Sequence, residues 1–395
     1  MRLAQRAVNI SPSATLAIDA RAKSLAAAGV RVLNFGVGEP DFDTPEHIKE
    51  AAVEALRRGE TKYTPVAGTV RLRQAIADKL QRENGLSYAP DEIVVSCGAK
   101  HSLYNAIEVL CQEGDEVILP VPYWVSYLEQ VKLAGATPVP VETGPGFKLD
   151  PGTLRRACTG RTRLLILNSP SNPTGAVYTR EELAALSEVI IERNLAVISD
   201  EIYEKLVYDG AGHVSLASLG PEIKERTVTV NGLSKAYAMT GWRVGYAAAP
   251  GAVARAMADL QSHATSNPTS IAQAAAVAAL EGTQEPLAQM VATFARRRDL
   301  ILEALAAIPG LTCPKPQGAF YVFVSVASFF GRRFSGRVIG TAADVAEILL
   351  EEARVAVVPG EAFGDPGHIR LSYATSNEVI REGLTRMGEL LARIS

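Results

Sequence analysis

The sequence predicts an α/β protein: a large domain with a mostly parallel seven-stranded sheet flanked by helices, and a smaller α/β domain completed by an N-terminal arm. Three observations carry this. From Glu92 onward, short apolar runs alternate with helical stretches: Ile93–Val95, Val117–Leu119, Thr137–Val141, Leu164–Leu167, Ala196–Ser199, Val228–Val230 and Val244–Ala247. Such alternation is the pattern of parallel strands joined by helical crossovers. Four of the runs end in unusual polar residues, at the strand ends where open parallel sheets bind ligands. Finally, Ile308-Pro309-Gly310 and Cys313-Pro314-Lys315-Pro316 break the chain before strand and helix patterns resume. The expected division is 1–43 for the arm and part of the small domain, 44–285 for the large domain, and 286–395 for the rest of the small domain.

Composition bounds the answer. A chain of 395 residues exceeds one ordinary core and points to two domains. With 47% hydrophobic and 21% charged residues it has the balance of a globular protein. A net charge of −3 gives no electrostatic reason for a nucleic-acid or membrane partner. Cys97, Cys111, Cys158 and Cys313 are scattered, without metal spacing, and read as reduced thiols. No apolar span suits a membrane and no leader pattern opens the chain, so the expected location is cytoplasmic, with no metal.

In chain order, an amphipathic helix is expected over Ala14–Ala28, closed by Gly29, and then a brief strand over Val32–Phe35. Gly36-Val37-Gly38-Glu39-Pro40 lacks the third glycine of a dinucleotide loop. It reads instead as a loop whose backbone approaches a ligand closely at Gly38. Thr44-Pro45-Glu46 offers a cap, a proline at the first helical position and an acid in the first turn, so a helix should run to Arg58. After Gly68 a second helix should place Leu72, Ile76 and Leu80 on one face. In the C-terminal part the pattern predicts helices over Ala252–His263, Ser270–Glu281, Pro286–Ala307, Ala342–Glu352 and Asn377–Ala392. Strands are expected over Ala319–Val324, Val355–Val358 and His368–Ser372. The triplet Arg296-Arg297-Arg298 reads as a solvated face or as ion-pair partners.

The chemistry is concentrated at four strand ends. Gly98-Ala99-Lys100 stands at a helix start, where free N–H groups suit an anion; a plain strand-to-helix turn is the alternative. Asn172-Pro173-Thr174-Gly175 is a turn by composition, with the Asn172 amide free to donate to a ligand. Asp200 closes Leu195-Ala196-Val197-Ile198-Ser199 like the acid of a nucleotide-hydrolase strand, but no phosphate loop of that class exists in the chain. A buried carboxylate needs a partner, and a protonated pyridine nitrogen suits it. Tyr203, three residues on, can donate its hydroxyl to the same ligand oxygen as Asn172. The fourth end is Thr227 to Tyr246, TVTVNGLSKAYAMTGWRVGY. A lone lysine after a strand is most often a solvated charge. Here Leu233, Tyr237, Met239 and Trp242 enclose Lys235, and desolvation favours a neutral amine able to condense with an aldehyde. Ser234 and Arg243 supply donors for a phosphate. An aldehyde with a phosphate suggests pyridoxal phosphate.

This stretch resembles the cofactor-lysine signature of the class I/II aminotransferases, the fold-type-I pyridoxal-phosphate enzymes, and is most similar to their bacterial aspartate-specific subgroup. Matching motifs run over essentially the whole chain. The resemblance implies that Lys235 is the catalytic lysine and that Gly98, Ala99, Lys100, Trp124, Asn172, Asp200, Tyr203, Ser234 and Arg243 hold the cofactor. In it, Trp124 stacks on the pyridine ring, and Tyr63 reaches the phosphate of the neighbouring subunit, which implies a homodimer. It further implies that Gly38 presents its N–H, and Arg370 a bidentate grip, to the substrate α-carboxylate. A structural ion pair is the alternative for Arg370, which stands in the apolar run Ile369-Arg370-Leu371. Lys100 is implied in side-chain carboxylate binding, with Thr15 in a substrate-gating arm. Many relatives carry serine where this chain has Gly232, and relatives that accept prephenate carry lysine where it has Ser11.

The resulting expectation is reversible amino transfer between L-aspartate and 2-oxoglutarate by a ping-pong route, with weak or absent prephenate activity. Another aminotransferase specificity (aromatic, alanine or prephenate) or a lyase reaction is the alternative. A cofactor-binding regulator would need a DNA-binding segment, which the short arm does not supply.

Overall fold

The computed structural model describes residues 1–395. Its strands are β1 (Leu33–Asn34), β2 (Ile93–Ser96), β3 (Glu116–Val121), β4 (Thr137–Glu142), β5 (Thr162–Asn168), β6 (Ala196–Asp200), β7 (Thr227–Gly232) and β8 (Gly245–Ala248). Beyond these come β9 (Tyr321–Ser325), β10 (Arg333–Phe334), β11 (Arg337–Val338), β12 (Val355–Ala356), β13 (Val358–Pro359) and β14 (His368–Ser372). Seven of them form one sheet in the order β2-β8-β7-β6-β5-β3-β4.

The near-continuous apolar runs follow from burial on both faces. Leu164 and Ile166 of β5 pack with Leu103, Ile107 and Val131 on one side. Leu165 and Leu167 pack with Leu183, Leu186 and Ile190 on the other. Each such side chain withdrawn from water contributes about 1.5–3 kcal/mol. The helices between strands are well started: Thr179 and Glu182 form a capping box for Arg180–Glu192.

One strand departs from the expected parallel set. β8 runs antiparallel to both neighbours, β2 and β7. The reason is the connection: Leu233–Val244 holds only a single 3-10 turn, Thr240–Trp242, and no crossover helix, so the chain must double back.

The C-terminal part forms a three-stranded antiparallel sheet, β13-β14-β9. The expected strand Val355–Val358 is split at Val357. Its first half, β12, pairs in parallel with β1, while β13 pairs with β14, so the N-terminal segment is stitched to the C-terminal part. The helix expected over Ala342–Glu352 ends at Ile348 and widens into a π turn over Leu349–Ala353, closed by left-handed Arg354. The helix after Thr44 starts at Glu46, with Pro45 outside it and no side-chain cap. The Thr44 hydroxyl is engaged elsewhere, donating to the Ala238 carbonyl and accepting from Trp242 Nε1. Of the two readings of the arginine triplet, ion pairing holds for Arg297 and Arg298 and the solvated face for Arg296. Arg298 is fully buried against Asp209 and Asp299, Arg297 grips Asp41 with two bonds, and only Arg296 is exposed. No helix is long and apolar enough to cross a membrane.

Candidate active site

Sheet register gathers the polar strand ends. Asn168 of β5 lies opposite Asp200 of β6, and Asp200 opposite Val230 of β7. Ser96 and Gly232 flank Gly245 from its two sides. The segments leaving these strands therefore emerge at one edge, around a cavity of about 440 Å³. Thr15 and Gly38 border it from the N-terminal segment, Ala99 and Lys100 from a helix start, and Trp124 from the next helix. Asn172, Asp200, Tyr203, Ser234, Lys235, Arg243 and Arg370 line it as well, so that of the residues expected from the sequence only Gly98 and Tyr63 do not.

Lys235 donates from Nζ to the Gly38 carbonyl. Its side chain is half-buried and borders the cavity. Burial, reinforced by the charges of Arg370, Arg243 and Lys100 against the opposing pull of Glu39, brings its pKa down from 10.5 to about 8. The Tyr203 and Phe320 rings lie 5.9 and 5.7 Å from the ammonium.

Asp200 is 3% exposed, and burial raises its carboxyl to about 6 despite two donors. Tyr127 donates its hydroxyl to Oδ2 at 2.6 Å, and the Ile202 N–H reaches Oδ1 at 3.2 Å. Asn168 holds the segment from outside, donating Nδ2 to the Asp200 carbonyl and accepting the Asn172 N–H on Oδ1.

Arg370, 2% exposed, makes no ion pair with any acid of the chain. It donates Nη1 to Asn172 Oδ1 at 3.1 Å and Nη2 to the Gly36 carbonyl at 2.7 Å, while Nε has no partner. Burial lowers its pKa. The structural-pair alternative therefore fails: this is a buried guanidinium with no acid partner in the chain, the arrangement that an anion would satisfy. Lys100 likewise has no acidic partner; its ammonium lies 4.8 Å from the Trp124 ring, and burial with the Arg243 charge lowers its pKa.

Gly98 does not line the cavity but makes room for Arg243. A Cβ there would come within 2.4 Å of Arg243 Nη2, and the backbone is left-handed. Arg243 donates to the carbonyls of Thr240 and Cys97. The Ala99 and Lys100 N–H groups at the helix start have no partner in the chain. With the Ser234 hydroxyl and Arg243, they form a donor set that fits a phosphate. Asp200 fits a protonated ring nitrogen, and Lys235 an aldehyde. Gly232 has no room for a side chain, since a Cβ would meet the Gly245 Cα at 2.9 Å. Tyr63 is not brought to this cavity. It stands 92% exposed, with no contact to the site within the chain.

Two residues that sequence reasoning missed belong here: Tyr127, and Tyr321, whose hydroxyl is 2.8 Å from that of Tyr203 and whose ring carries the Arg370 guanidinium at 4.5 Å. No local motif marks either. Only the pairing of β9 with β14, which sets Tyr321 beside the arginine strand, reveals the second.

A sheet edge bearing a half-buried lysine, a buried acid and an arginine without an acid partner suits chemistry on amino and carboxylate groups. The comparisons are specific. A family model described as "Aminotransferase class I and II" matches residues 30–387. The chain is 53% identical over 392 residues to the aspartate aminotransferase of Geobacillus stearothermophilus, covering 98% of each. It is 50% identical over 397 residues to the aspartate/prephenate aminotransferase of Cereibacter sphaeroides, covering 100% of this chain and 99% of the relative. The crystal structure of the Rhizobium meliloti aspartate aminotransferase superposes with a TM-score of 0.97 at 48% identity, covering 100% of both chains. The chain belongs to the class I and II aminotransferases and is a transaminase. That family uses pyridoxal phosphate.

Proposed function

We propose that this chain catalyses reversible amino transfer between L-aspartate and 2-oxoglutarate, with pyridoxal phosphate held on Lys235. The observation that carries the substrate reading is the pair of cations Arg370 and Lys100. Both border the cavity of Lys235, and neither has a carboxylate partner in the chain. A substrate with two carboxylates satisfies both. A monocarboxylate leaves Lys100, the more exposed of the two, without a carboxylate.

Bound pyridoxal phosphate supplies an aldehyde that condenses with amines and a ring that accepts the electron pair left by the departing α-proton. The residues do the rest. Arg370 grips the α-carboxylate and fixes the α-carbon, with the partner-free Gly38 N–H as a second donor. A side chain at Gly38 would strike the Tyr321 hydroxyl, which is 2.8 Å from an ideal Cβ. Lys100 takes the distal carboxylate, and Trp124 offers its face to the ring. With the cofactor bound, Lys235 would take the α-proton on Nζ as general base and give it back as general acid. With a pKa of about 8 it serves as both base and acid near neutral pH. Asp200 keeps a proton on the ring nitrogen. Asn172, whose Nδ2 has no partner in the chain, and Tyr203 would donate to the ring oxygen. Thr15 and its neighbour Ser13, hydroxyl to hydroxyl at 2.9 Å, border the entrance.

Tyr63 is assigned to the phosphate of a second copy, so the active unit is a homodimer. Its ring is free to reach outward. A division near residue 285 separates a cofactor domain, 44–285, from a smaller one made of 286–395 and part of 1–43. Ser11, exposed and bonded through its N–H to Glu129, brings no cation to a prephenate carboxylate. Prephenate turnover should therefore be weak. The test is an amino-donor screen with 2-oxoglutarate as acceptor: aspartate should lead it, and an aromatic or neutral donor outpacing aspartate refutes the assignment.

A further inference from the structure

Tyr127 has no part in gripping substrate or phosphate, yet it spends its hydroxyl on the most sensitive acid of the site. It stands on the helix Val125–Leu133, is 2% exposed, and donates to Asp200 Oδ2 at 2.6 Å, the length of a strong bond to an anion. Its ring meets that of Trp124 edge-on, centroids 5.4 Å apart at 81°. One residue thus braces both the carboxylate expected beneath the ring nitrogen and the aromatic expected on the ring face.

We propose that Tyr127 is a positioning residue that keeps Asp200 anionic and aimed, and so keeps the cofactor's ring nitrogen protonated. The inference rests on the reading of this cavity as a pyridoxal-phosphate site. The groups around Asp200 leave Tyr127 without a substitute. From its own segment come the Ile202 N–H, at the longer distance of 3.2 Å, and Glu201, whose negative charge opposes ionisation. From the loop after β7 comes Lys235, whose positive charge favours ionisation only until that amine is consumed by the cofactor. The Tyr203 hydroxyl lies 2.8 Å from that of Tyr321 and makes no bond to the Asp200 carboxylate. β5 contributes Asn168, which bonds the main chain of Asp200 and not its carboxylate. Without the Tyr127 hydroxyl, the proton shared between Asp200 and the ring nitrogen shifts toward the carboxylate. The ring then carries less positive charge, and the nitrogen joining it to Lys235 holds its own proton more tightly.

The test uses Tyr127→Phe, which keeps the ring and its contact with Trp124. Holoenzyme of wild type and variant is titrated while the visible absorption of the bound cofactor is followed, and cofactor release on dialysis is timed near pH 7. A lost bond to a charged group predicts a rise of about one to two pH units in the colour-change midpoint. Release should quicken about tenfold, and circular dichroism should be unchanged. On an Asp200→Asn background, Tyr127→Phe should produce no further shift. A midpoint within a few tenths of a pH unit of wild type, or the same shift with and without Asp200, overturns the proposal. A wild-type protein that takes no colour from added pyridoxal phosphate refutes the functional reading itself, a result the Tyr127 comparison cannot mimic.

Discussion

Replacing Arg370 tests how much of the transition state this chain holds through one side chain. A guanidinium carries five N–H donors. Two are committed, to Asn172 Oδ1 and the Gly36 carbonyl, and the Nε donor is buried without a partner. Enough of the fork remains for a carboxylate, and no acid of the chain competes for it. Each bond to a charged group contributes about 1.5–3 kcal/mol. Arg370→Lys keeps the charge but loses the fork, and so about one bond; kcat/KM for aspartate should fall about 10- to 100-fold at 1.36 kcal/mol per tenfold. Arg370→Met loses both bonds, or about 3–6 kcal/mol, and should cost about 10²- to 10⁴-fold. Stability should change little. Removing an unpaired buried charge relieves desolvation, while the Gly36 carbonyl and Asn172 lose a donor. The assay is the aspartate half-reaction followed by cofactor absorbance, alongside a melting curve. Arg370→Met within about threefold of wild type, with the fold intact, would refute the grip.

Lys100→Ala should lower kcat/KM for aspartate and glutamate at least about tenfold more than for neutral amino acids, measured on a donor panel; equal losses would remove Lys100 from substrate binding. In cofactor-free protein, burial favours the neutral amine of Lys235, so reaction with an amine reagent should rise through pH of about 8 and not near 10.5, as read by mass spectrometry of the Lys235 peptide. Glu204 is buried against Lys79 and Asn84, which hold its carboxyl well below its ordinary 4.5. Its stabilising contribution is full above that value and is lost as pH falls below it. Glu204→Gln should destabilise by about 1–3 kcal/mol at pH 7, because Lys79 loses its nearest acid and keeps Asn84 at 2.8 Å and Glu83 at 3.6 Å. Denaturant melts across pH should also show a flatter acid limb for the variant.

Much of this architecture was legible because the residues at strand ends are costly anywhere else. An acid after Leu195-Ala196-Val197-Ile198-Ser199, an arginine within Ile369-Arg370-Leu371 and a lysine amid aromatic neighbours each demand a partner, and the strand pattern sets them on one sheet edge. The helix limits were legible from caps such as Thr179 with Glu182. What escaped depends on pairing across distant segments. The reversal of β8 follows from a connection with no helix, and the split at Val357 from two different partners, β1 and β14. The Tyr127 bond to Asp200 spans 73 positions and that of Tyr203 to Tyr321 spans 118, so no local spacing encodes them. The burial of Arg298 was equally hidden, since its neighbours Arg296 and Arg297 suggest a charged face and only Asp209, far upstream, explains it. Tyr63 marks the converse case: sequence resemblance gives it a role that one chain cannot display.

The chemistry turns on one amine. Holoenzyme treated with borohydride to fix the cofactor should lose its visible colour, and digestion should yield one pyridoxyl-bearing peptide, with the added mass on Lys235. Label on Lys100 or Lys23, which border the same cavity, or no label at all, would contradict it.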